Sequence, residues 1–148
     1  MKKILFILII ISNYVFASNN NILLIEINKN FAKTWDILEK EIIERKHTVA
    51  YKQRCDYALT ERNYDTDKYR IIFFGKYSEI KELAKNYPKI IPYLPLKITA
   101  VAYGNKTLLT AKKPAELLEI VKDEKHKKII QSWNKDLEAI ITKVQEEF

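Results

Sequence analysis

The chain has 148 residues, with 26 Lys and Arg against 19 Asp and Glu, for a formal net charge of +7. That length makes a single domain, and 47% hydrophobic with 30% charged residues excludes a disordered or collagen-like chain. One Cys excludes an intrachain disulfide framework and any Cys-rich zinc or iron–sulfur site.

Lys2 and Lys3 form a positive start, residues 4–11 are an unbroken apolar run, and Val15-Phe16-Ala17 offers small residues at a signal-peptidase site. These features predict a secretory leader over residues 1–17, cleaved to leave Ser18, and hence a periplasmic protein. An uncleaved anchor is the rival, but Ser12 and Asn13 break the run, whereas a span needs about 20 apolar residues. No Cys follows the cleavage point, which argues against a lipoprotein, and no stable membrane span is expected after cleavage. Without Lys2 and Lys3 the charge is modest and interspersed. An exported chain seldom meets nucleic acid, so acidic metabolites, anionic envelope surfaces or an acidic partner protein are better candidates, and the plainer reading is that the charge only keeps a small periplasmic protein soluble.

In the mature chain, 18–148, residues 22–27 are β-branched and apolar and read as a strand. Asn30 suits an N-cap, and Phe31, Trp35, Leu38 and Ile42 recur at helical spacing to about Arg45. Residues 47–53 read as a second strand, 57–62 as a helical turn or loop, and 69–74 as a third strand closed by Gly75. Ser78 is expected to cap a helix carrying Ile80, Leu83 and Tyr87, which Pro88 ends. Pro92 and Pro95 stiffen the approach to a strand over 96–103, and Gly104-Asn105 turns it into a partner over 106–111. Pro114 suits the first position of a helix. A last helix over about 126–147 carries Ile130, Trp133, Leu137, Ile141 and Val144 on one stripe. The order predicts an α+β fold: an antiparallel or mixed sheet, helices mainly on one face, and an extra C-terminal helix.

From Ile22 to about Ile120 the chain resembles the domain of unknown function 302 family. The residues that carry the likeness are the Phe31 helix start, the Phe74-Gly75 strand end, the Leu94-Pro95-Leu96 step before a hairpin, and Lys113-Pro114. Two places depart from the family pattern. Lys76-Tyr77-Ser78 stands where relatives often carry a Pro, and Arg54-Cys55-Asp56-Tyr57 lacks the His of a frequent Asp-His pair. The resemblance implies a small α+β sandwich and dimerisation, and no defined reaction.

No catalytic motif stands out. Cys55 is read as a packed residue at a strand end, an intermolecular disulfide partner, or a metal or haem ligand; Lys52 and Arg54 nearby would lower its pKa. His47 and His126 fit exposed or capping positions and show no metal-ligand spacing. Glu61, Asp65 and Asp67 sit in a polar stretch without a calcium-loop pattern. Tyr51, Tyr57, Tyr93 and Tyr103 are read either as packing or, with Cys55, as the lining of a ligand cleft. Both Trp35 and Trp133 are expected to be buried. The leading reading is a non-enzymatic periplasmic binding or accessory protein for a small molecule or envelope protein. A redox, metal or haem-linked protein using Cys55 is the alternative, and a homodimer is expected through the second sheet face, with the terminal helix stripe of Ile130, Trp133, Leu137 and Ile141 as the competing lid within one chain. The sequence names no ligand, metal or cofactor.

Overall fold

Alternating side chains and a tight turn organise the sheet. The computed structural model describes residues 21–147, so the expected leader over residues 1–17 lies outside the described residues. Strands β1 (Ile22–Ile27), β2 (Thr48–Arg54), β3 (Tyr69–Gly75), β4 (Leu96–Tyr103) and β5 (Lys106–Lys112) form one sheet in the order β1-β5-β4-β3-β2. Every neighbouring pair is antiparallel. Gly104 (φ 56) with Asn105 makes the β4–β5 turn, the left-handed geometry a glycine adopts without strain.

Among the described residues four α-helices accompany the strands: α1 (Phe31–Glu44), α2 (Cys55–Thr60), α3 (Tyr77–Asn86) and, after the last strand, α4 (Glu124–Glu146). The Asn30 side chain accepts from the Lys33 N–H at 3.1 Å and so caps α1. Helix α1 then buries Phe31, Trp35, Leu38 and Ile42. Asp123 caps α4 in the same way through His126 N–H at 3.0 Å. Ser78 caps nothing: α3 starts one residue earlier, and its cap residue Lys76 makes no side-chain bond to it.

Two further segments are 3-10 helices, Pro88–Tyr93 and Pro114–Glu119. The first was expected only as a stiff approach and the second as an ordinary helix. The helical turn or loop expected over 57–62 is helix α2, which starts two residues earlier and takes in Cys55, expected at a strand end.

One face of the sheet carries the core. Ile72, Phe74, Ile98, Ala100 and Leu109 point to it and join Leu38, Ile42, Ile130, Trp133 and Ile140 of α1 and α4 in one buried cluster. Trp35 and Trp133 are both buried, at 6% and 0% exposure. Helix α4 lies against α1 and the second 3-10 segment, and its Asp136 meets His47, whose ring packs on core-facing Phe74. The terminal helix therefore thickens the covered side and is not a lid for the other one. The opposite face presents Leu24, Tyr51, Ile71, Phe73, Val101 and Leu108, with Leu24 69% and Tyr51 63% exposed. The architecture is α+β, as the element order predicts.

Candidate functional site

A cleft forms where the N-terminal end of β4 meets the C-terminal end of β5, on the open face. Leu94 and Pro95, joined by a cis peptide, bring the chain from the first 3-10 segment into β4. Leu96 turns into the core, so alternation sends Lys97 to the open face. Lys97 and Lys112 each stand one residue beyond the paired Ile98 and Ala111, and so share that face. Phe73, paired with Lys97, floors the cleft from β3.

The cavity measures about 340 Å³ and is walled by Tyr93, Leu94, Leu117 and prolines of both 3-10 segments. Lys97, Lys112, Lys113 and Glu116 supply its charged groups. Lys112 Nζ lies 2.7 Å from Glu116 Oε2 and 4.9 Å from the centre of the Tyr93 ring. The bond to Glu116 raises the Lys112 pKa from its usual value. Neither Lys97 nor Lys113 has an ion-pair partner among the described residues. A smaller hollow of about 180 Å³, lined by Ile22, Thr99, Thr110 and again Lys97 and Lys112, extends the cleft across the sheet.

The residues singled out in the sequence separate here. Tyr93 lines the cleft. Tyr51 stands beside it, its ring 6.3 Å from that of Phe73. Tyr103 ends β4, roughly 20 Å away along the strand. Tyr57 lies on α2 under the Arg54 guanidinium, which is 5.2 Å from its ring centre. Cys55 opens α2 half-buried and unpaired. Burial pushes its thiol pKa up and Asp56 adds to the shift, against a hydrogen bond with Tyr69. The expected activation by Lys52 and Arg54 is absent, because Lys52 Nζ is held 2.8 Å from Glu39 Oε1 and Arg54 covers Tyr57.

Both histidines are buried rather than exposed; His126 does stand in the capping turn of α4 against Asp123, whereas His47 caps nothing. His47 Nε2 lies 3.0 Å from Asp136 Oδ2, and Lys76 Nζ donates to the same oxygen at 2.7 Å. His126 Nδ1 lies 2.6 Å from Asp123 Oδ2, to which Tyr87 also donates. The bonds from Tyr87 and His126 hold the Asp123 carboxyl far below the usual carboxylate range. These clusters tie α4 to β2 and α3, which are structural tasks. No three His, Cys, Asp or Glu side chains converge as a metal site among the described residues. Sequence reading missed Lys97, Lys112 and Lys113; the register of the β4–β5 hairpin was the signal that places the first two side by side.

A family model described as domain of unknown function DUF302 matches residues 24–144, through α4 rather than stopping near Ile120. No curated protein matches the chain. Among solved structures, the crystal structure of an uncharacterized conserved protein DUF302 from Bacillus stearothermophilus is similar. It shows a TM-score of 0.73 and 18% identity, with 84% of this chain and 98% of that one covered. At that identity the likeness speaks for the fold alone.

Proposed function

The chain belongs to the family described as domain of unknown function DUF302, and from that premise we propose that it is a small, non-enzymatic binding protein whose ligand seats in the β4–β5 cleft. The observation that carries this reading is the cleft itself. About 340 Å³ of mostly apolar wall with a few convergent charged groups is the ordinary composition of a small-molecule site. The redox alternative draws less support, because the Cys55 thiol is half-buried and shifted away from the reactive thiolate.

The leader-like residues Lys2, Lys3 and Val15-Phe16-Ala17 support export, so the protein would work in the periplasm from Ser18 onward. Exposed Leu24 and Tyr51 on the open face support a homodimer joined there, with the cleft at the margin of the joint.

Mapping backbone amide shifts during titration with one- and two-ring acids, amides and amines tests the binding reading. Shifts should cluster on Phe73, Tyr93, Lys97 and Leu117. A response confined to Cys55, Tyr57 and Tyr69 would remove it and restore the thiol as the centre of interest.

A further inference from the structure

We infer that the cleft selects an anion carried on a flat apolar body, a small aromatic carboxylate, an inference that rests on the binding reading above. Charge is the first argument. Three ammonium groups, Lys97, Lys112 and Lys113, line the cavity with a single carboxylate, Glu116. Glu116 is already engaged by Lys112, so Lys97 and Lys113 stand uncompensated beside a third cation. Lys97 and Lys112 share one sheet face, where like charges repel, and Lys113 just past the end of β5 adds a third to the lining; an anion among them removes that repulsion.

Donor inventory is the second argument. Ammonium groups donate and cannot accept, so the polar end of the ligand must accept. Bonds from Lys to an ionised oxygen are charge-assisted and short, stronger than those to a neutral amide. Glu116 is the single carboxylate of the lining and is ion-paired with Lys112, so no unpaired anion is left there for a cationic ligand.

Shape is the third. Phe73 and Leu117 supply apolar wall, and the Tyr93 ring, with the Lys112 ammonium 4.9 Å from its centre, adds an aromatic surface for a ring to stack on. The volume is at the small end for ligand sites, enough for one or two fused rings.

The test uses three matched probes on the purified protein: indole-3-acetate, indole-3-acetamide and tryptamine. Their affinities are measured by calorimetry at low salt and in high salt, alongside the Lys97→Gln/Lys113→Gln double variant, whose fold is checked by circular dichroism. The acid should bind about tenfold more tightly than the amide, and tryptamine most weakly. High salt and the double variant should each bring acid and amide close to parity. Equal binding of acid and amide by the unaltered protein would overturn anion selection while leaving the cleft a binding site. Absence of binding by all three would overturn the binding reading together with this inference.

Discussion

His47 joins α1 to β2 directly after Lys46, whose φ of 61 turns the chain sharply inward. Its side chain is fully buried, edge-on to Phe74 with ring centres 5.3 Å apart. Burial pushes the imidazole pKa below its usual 6.5; the bond to Asp136 opposes this, and the Lys76 charge reinforces it. Asp136 is raised by burial but more than offset by Lys76 and His47, so it stays ionised below its usual 3.8. Glu79 is the remaining charge that acts on His47. The unfolded imidazole titrates near 6.5 and the folded one lower, so falling pH protonates the unfolded chain first. This contribution to stability is complete above pH 6.5 and is lost as pH drops below it. Asp136 adds stability present above 3.8 and lost as pH falls through its lower folded value. Urea midpoints at pH 7.5 and 5.5 should therefore differ, with the lower one at 5.5 and the gap narrowed in His47→Gln. A midpoint that rises on acidification would contradict this account.

At the scale of the element, stripes decide which helices matter. Trp133 is fully buried on α4, and its indole N–H donates to Glu79 of α3. Trp133→Ala should cost about 3–5 kcal/mol, the range for large aromatic truncations in cores. A thermal midpoint that hardly moves would mean α4 does not seal the core. The helical spacing of α1 and α4 was legible because it is local and repeats every turn. The β4–β5 hairpin was legible because Gly104-Asn105 both breaks the alternation and suits the turn. The 3-10 segments were not, since proline at their starts fits several kinds of tight helix equally well. Burial of His47 was also hidden, because its partner Asp136 lies 89 positions away and only the tertiary fold joins them. Of the cleft only Tyr93 was named as lining from the sequence; Lys97 and Lys112 were missed although hairpin register carries their signal, and Phe73 and Lys113 needed the packing of separate segments around it.

Across the whole molecule, helices cover one sheet face and leave the other to solvent or to a second copy. Sedimentation equilibrium in reductant should give twice the single-chain mass, and Leu24→Lys on the open face should return it to monomer. A monomeric parent protein would set the open face aside as a joint. N-terminal sequencing of periplasmic material should begin at Ser18, and a chain beginning at Met1 there would refute export by cleavage. If the β4–β5 cleft binds a small acid, a crystal structure of the protein with indole-3-acetate should hold it there. Its ring is expected between Phe73 and Tyr93 and its carboxylate within hydrogen-bond reach of Lys97 or Lys113. An empty cleft, or the ligand seated beside Cys55 and Tyr57, would contradict it.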